Sequence, residues 1–64
     1  MAKNIRKGSK VTIMLHGQKV KAVVLHKETT THCTIKTEPH YIPYDGITIA
    51  QTIGGVKISE LERL

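Results

Sequence analysis

The sequence predicts one small all-β domain of five short strands curled into a barrel, and three features indicate that class. Apolar and polar residues alternate in most segments, which is the period of a half-buried strand. Residues that favour turns separate these segments at positions 16–17, 43–46 and 54–55. The 64 residues include no Trp or Phe, so a thin core of aliphatic side chains is expected.

The first element is a hairpin over residues 10–25. Its two segments, KVTIML and QKVKAVVLHK, both alternate. His16-Gly17 between them suits a two-residue turn, because Gly adopts positive φ freely and His tolerates it better than a β-branched residue does. A turn there places Ile13 opposite Val20 on an apolar inner face. The outer face then carries Lys10, Lys19 and Lys21.

Three further strands follow the hairpin. HCTIKT directs Cys33 and Ile35 inward and ends before Pro39, which cannot continue a ladder. A short strand at residues 41–42 leads into the turn PYDG, and ITIA resumes the alternation. We therefore expect a barrel core over residues 10–52, preceded by a basic segment at residues 1–8.

The C-terminal part, residues 55–64, is predicted to add an edge strand and one short helical turn. The strand is expected at residues 56–58, after the Gly54-Gly55 break. Ser59 and Glu62 have the spacing of a capping box. Leu61 and Leu64 would lie on one side of the turn, where they could close the barrel or contact a second copy. The alternative is that this segment is a frayed tail.

Charge is distributed unevenly along the chain. The net charge is +5, yet residues 1–27 hold seven Lys or Arg and no acid, whereas residues 28–64 hold three bases and five acids (3 − 5 = −2). A basic half favours an anionic partner, usually nucleic acid. The alternative is that the lysines serve solubility and protect sheet edges.

The sequence offers no sign of catalysis or of a cofactor. His32 and Cys33 are adjacent on a predicted strand and so point to opposite faces, which argues against a metal site. No nucleophile elbow or phosphate-binding glycine loop is present. We expect no enzyme, no metal and no cofactor.

Cysteine content and hydropathy predict a cytoplasmic location. The single Cys33 cannot form an intrachain disulfide, which suits a reducing compartment. No apolar stretch approaches the roughly 20 residues of a membrane span, and no signal-like run follows the basic N-terminus. A soluble protein without a membrane partner is expected.

Two segments resemble the Sm-like (Lsm and Hfq-like) family over residues 11–50. VTIMLHGQKVKAVV is similar to that family's first two strands, and IPYDGITI is similar to its junction between strands four and five. The resemblance implies a five-stranded SH3-like/Sm-like barrel and a ring of six or seven copies. In such a ring the fourth strand of one copy pairs with the fifth of the next, and loops 27–31 and 43–46 line the pore.

The chain departs from that family at several positions. MAKNIRKGSK gives little room for the usual N-terminal helix, and the first turn is about one residue shorter. Thr30 stands where a base-stacking aromatic residue is usual. Pro43, Tyr44 and Asp45 replace the basic recognition residues. The departures lie mainly at positions that bind RNA.

From these observations we predict a ring-forming protein that binds single-stranded RNA or another anionic ligand. Phosphates would be attracted by lysines and bases would stack on tyrosine. The predicted nucleic-acid-binding residues are Lys10, Lys19, Lys21, Lys27, Thr30, Tyr41 and Tyr44. One alternative is a protein-interaction module or small inhibitor that docks through a strand edge or through Leu61 and Leu64. Another is a purely structural oligomer.

Overall fold

The computed structural model describes residues 5–64 and confirms an all-β chain. The described part contains seven strands and one turn of 3-10 helix. The strands are β1 (Lys10–Leu15), β2 (Gln18–Lys27), β3 (His32–Thr37), β4 (His40–Ile42), β5 (Ile47–Ile49), β6 (Thr52–Lys57) and β7 (Glu62–Arg63). The 3-10 turn covers Ile58–Glu60. Within residues 5–64, no helix is long and apolar enough to cross a membrane.

The strands form two sheets and do not close into the predicted barrel. Five of them make an antiparallel sheet in the order β6-β3-β2-β1-β7, and β4 pairs with β5 in a separate two-stranded sheet. Strands β6 and β7 lie at opposite edges of the larger sheet and are connected through Ile58–Glu60. Because β7 pairs with β1 only at Val11 and Thr12, it is too short to close the sheet.

The β1–β2 hairpin has the predicted register along its whole length. Leu15 faces Gln18, Ile13 faces Val20 and Lys10 faces Val23. His16 (φ 51°) and Gly17 (φ 77°) both have positive φ, as a type I′ turn requires. Such a turn matches the right-handed twist of the flanking strands, and so it sets the pairing.

The predicted third strand and second turn are also confirmed. Cys33 and Ile35 on β3 are fully buried, and burial raises the pKa of the Cys33 thiol. In the turn after β4, the backbone amides of Asp45 and Gly46 donate to the Ile42 carbonyl at 3.2 and 2.8 Å. That turn joins β4 to β5 of the same chain.

The C-terminal segment differs from its prediction. Strand β6 begins at Thr52 rather than at residue 56, because it pairs with β3. The 3-10 turn has Lys57 at its N-cap, and Glu62 lies in a strand, so the capping box of Ser59 and Glu62 is wrong. Leu61 is fully buried, whereas Leu64 is 64% exposed, so the two do not share a side.

One aliphatic core lies beneath the larger sheet, as the composition predicts. Leu61 enters it from the C-terminal segment, and Ile5 enters it from the N-terminal side. Its buried members are Ile5, Val11, Ile13, Val20, Ala22, Val24, Cys33, Ile35, Val56, Ile58 and Leu61. Both ends of the described chain are therefore anchored to the sheet.

Candidate functional site

One part of the outer sheet surface alternates cationic and apolar side chains across neighbouring strands. Lys10 on β1 faces Val23 on β2, which in turn faces Lys36 on β3. The Leu64 amide donates to the Lys10 carbonyl at 3.0 Å and so places Leu64 on the far side of Lys10. Directly opposite side chains lie about 5 Å apart, so these four form one continuous row.

The turn before β1 adds further positive charge to this row. The Ser9 amide donates to the Arg6 carbonyl (2.9 Å), and the Arg6 amide donates to the Ser9 hydroxyl (3.0 Å). The Gly8 amide donates to the Val24 carbonyl (2.8 Å) and docks the turn on β2. A shallow depression beside it is lined by Arg6, Lys7, Gly8, Ser9, Lys10, Arg63 and Leu64. None of these lining residues is acidic.

A second depression adjoins the first and shares Lys10 and Leu64 with it. Its apolar centre is formed by exposed parts of Val23, Leu25 and Leu64. Lys21 and Lys36 complete its cationic rim. We call the two depressions together the basic face, with the members Arg6, Lys7, Lys10, Lys21, Lys36, Arg63, Val23, Leu25 and Leu64.

The basic face has a strong excess of positive charge. Two carboxylates lie near these cations. Glu38 lines the second depression, and Glu62 on β7 faces Thr12 on β1. The face therefore has six cations against two nearby carboxylates. Across residues 5–64, none of the six forms an ion pair with a carboxylate. The surface attracts anions, because its cations outnumber the carboxylates beside them.

The structure divides the predicted binding lysines into two groups. Lys10 and Lys21 lie on the basic face. Lys19 faces Met14 on the same hairpin, two cross-strand pairs nearer the turn than Lys21. Lys27 ends β2, and Thr30 is exposed in the loop that follows, at the opposite end of β2 from the hairpin turn.

The two tyrosines lie near the β1–β2 turn, away from Lys27 and Thr30. Tyr44 makes an edge contact with His16, with 5.0 Å between ring centroids. The Tyr41 carbonyl accepts a hydrogen bond from Gln18 Nε2 at 2.8 Å. Loops 27–31 and 43–46 thus lie at opposite ends of β2. One chain does not bring them together as the Sm-like resemblance implies.

The loop that contains Thr30 is held by a network of hydrogen bonds. Glu28 Oε1 accepts from the Gly55 amide (2.9 Å) and from the Thr34 hydroxyl (2.7 Å). These two bonds, the amide first, lower the pKa of the exposed Glu28 carboxyl. Thr29 Oγ1 accepts from the Thr31 and His32 amides. Glu28 therefore ties the loop to β6 and is engaged structurally.

Four cations of the basic face were not among the predicted site residues: Arg6, Lys7, Lys36 and Arg63. The position of Lys36 beside Val23 depends on the β2–β3 register, which a bulge between Val24 and His26 shifts. Arg63 lies on β7 opposite the inward-facing Val11, and it lines the first depression from the edge of the sheet. The run of bases before β1 was the available signal for the N-terminal pair.

The basic face can hold an anion and cover an apolar group at the same time. Among the described residues, no three His, Cys, Asp or Glu side chains are grouped so that they could hold a metal ion. No protein-family model, no curated protein and no solved structure matches the chain, so the assignment of this surface depends on its geometry.

Proposed function

We propose that this chain binds single-stranded RNA through the basic face. The observation that carries the proposal is the joining of six cations into one surface around Lys10. Phosphate contacts by Lys and Arg release counterions from the nucleic acid, which supplies sequence-independent affinity. A cytoplasmic location belongs to the same proposal, since the free thiol of Cys33 suits a reducing compartment.

The apolar centre of the face favours a single strand over a duplex. In a single strand the bases are free to cover Val23, Leu25 and Leu64 while phosphates reach the cationic rim. A duplex keeps its bases paired inside and would leave that centre in water. Since Tyr41 and Tyr44 lie near the β1–β2 turn, little base-specific stacking is expected on the face itself.

The proposal predicts a steep dependence of RNA affinity on salt. Fluorescence anisotropy with a labelled single-stranded oligoribonucleotide should give a log–log slope of about −0.7 per phosphate contacted. The double variant Lys10→Glu with Lys21→Glu should reduce affinity by about tenfold or more and flatten that slope. Lys57→Glu is the matched control, because Lys57 is exposed on β6 and outside the basic face.

The loss of RNA binding free energy per charge reversed should be larger in the double variant than in the control. Equal losses per charge would mean that the net charge of the protein, and not the basic face, determines RNA affinity. Unchanged affinity in the double variant would reject the basic face. An oligonucleotide with abasic positions tests the apolar centre separately, because it retains every phosphate. It should bind more weakly than the intact strand.

Self-assembly is the second part of the proposal. In the part of the chain that the structure describes, strand β5 pairs with β4 alone, and Ile47 and Ile49 are each about half exposed. Pairing of such an edge with another copy would cover apolar surface, and a thin-cored chain gains from it. Light scattering after size-exclusion chromatography, with and without the oligonucleotide, tests it. A strict monomer in both conditions would contradict the ring.

A protein-interaction module is the second candidate function. Its specific support is the exposed apolar centre of the basic face, which carries no aromatic residue. An acidic partner protein would be steered by the lysines and held by apolar contact. This candidate would be favoured if RNA affinity were absent at low salt and a purified partner remained bound at high salt.

A further inference from the structure

The larger sheet has an open seam between β1 and β6. Among residues 5–64, only Val11 and Thr12 of β1 pair with β7, so Ile13–Leu15 have β2 on one side and no described strand on the other. Strand β6 is likewise the opposite edge strand of this sheet. Both edges line one open groove of about 590 Å³. We propose that this seam binds an extended, uncharged strand of a partner protein.

The backbone of β1 presents hydrogen-bonding groups to the seam. Leu15 and Gln18 flank a two-residue turn and so form a hydrogen-bonded pair, and such pairs recur at every second residue. Met14 lies between two residues of such pairs, Leu15 and Ile13, so its own N–H and C=O point away from β2. Lys10 is four residues before Met14 and so also directs its backbone groups away from β2. Its carbonyl accepts a hydrogen bond from the Leu64 amide on that side, at 3.0 Å.

The position opposite Met14 lacks a strand because β7 begins two residues too late. Glu62, its first residue, faces Thr12, and the preceding residues turn away in the 3-10 segment Ile58–Glu60. A strand added beside Met14 would continue the line of β7. Across the groove, Gly55 has no side chain and open space around it, so a partner backbone can approach β6 closely.

The lining of the seam specifies the partner's side chains. Leu15 and Ile53 are partly buried and pack against the core, so alternate apolar residues of an added strand would cover them. The groove is charge-balanced at its rim, with Lys57 and Glu60 both among its lining residues. It therefore complements an uncharged strand, unlike the basic face, which complements an anion.

The test uses a short synthetic peptide of alternating valine and threonine with blocked ends. In an NMR titration of the full chain, the amides of Met14 and of residues 53–56 should shift. The Met14 amide should also become protected from hydrogen exchange. A peptide with the same side chains but N-methylated at alternate residues should bind about tenfold or more weakly, because it lacks the donors.

Two protein variants complete the design. Leu15→Glu should abolish peptide binding by placing a charge in the seam, whereas Val23→Glu, a matched change on the basic face, should leave it intact. The N-methylated control keeps the proposal testable if Leu15→Glu fails to fold. Equal binding of both peptides, shifts confined to the basic face, or occupation of the seam by a second copy in sedimentation would each overturn it.

Discussion

The β1–β2 hairpin and the C-terminal segment, residues 52–64, both pair within the larger sheet, but they depend on different information. The hairpin is set by a two-residue turn with positive φ at both positions. The C-terminal segment reaches both edges of the sheet, with β6 beside β3 and β7 beside β1. Local chemistry determines the first, whereas burial of Leu61 and Ile58 in a distant core determines the second.

The largest effect is expected from Leu61→Ala in the C-terminal segment. Leu61 is fully buried, and truncating a buried leucine costs about 2 to 5 kcal/mol of unfolding free energy. That loss is a large part of the total unfolding free energy of a domain of this size. Leu64→Ala, at a site that is 64% exposed, should change the unfolding free energy by less than about 0.5 kcal/mol. Urea denaturation followed by circular dichroism measures both. Equal losses would show that the segment is not anchored by Leu61.

A smaller effect is expected from Gly17→Ala in the hairpin turn. Gly17 has φ 77°, where an added Cβ meets no neighbour but is disfavoured by its own backbone. The expected loss is about 1 to 2 kcal/mol. Gly54→Ala is the matched control in the other region, because Gly54 lacks positive φ and its Cβ would make ordinary contacts with Thr34 and Glu28. A similar loss in both variants would mean that turn geometry does not set the hairpin.

The same contrast explains what the sequence could and could not predict. Cys33 and Ile35 were assigned inward correctly because HCTIKT alternates without interruption. The β6 segment TIGGVK does not alternate, since its pairing with β3 shifts register between Cys33 and Ile35 around the two glycines. The leucine spacing in SELERL suggested a helical turn, yet Glu62–Arg63 is extended because it pairs with β1.

The candidate site was predictable to the extent that it lies on the hairpin. Lys10 and Lys21 follow from the local register, and the structure places both on the basic face. Lys36 joins them only through the pairing of β2 with β3, and Arg63 lines the face from the sheet edge because β7 lies beside β1. Tyr41 and Tyr44 were grouped with the lysines because of their chemistry, although β4 and β5 form a separate sheet near the hairpin turn.

The smallest expected effect concerns Glu28, which links the β2–β3 loop to the C-terminal segment. Hydrogen bonds from the Gly55 amide and the Thr34 hydroxyl lower the pKa of Glu28 below its usual value of 4.5. A depressed folded-state pKa means that the ionised carboxylate stabilises the fold above about pH 4.5 and that this contribution is lost as pH falls through the folded-state value. Glu28→Gln keeps an acceptor oxygen without the charge.

The urea midpoint of Glu28→Gln should therefore lie slightly below that of the unchanged chain at neutral pH. The difference between the two midpoints should disappear in acid. Glu38→Gln is the matched control for replacing an exposed glutamate, because the structure of residues 5–64 shows no hydrogen bond from another group to the Glu38 carboxylate. A difference in urea midpoint for Glu28→Gln that does not change with pH would show that the hydrogen bond from Gly55 stabilises the fold equally well without the charge. The loop and β6 would then be joined by geometry alone.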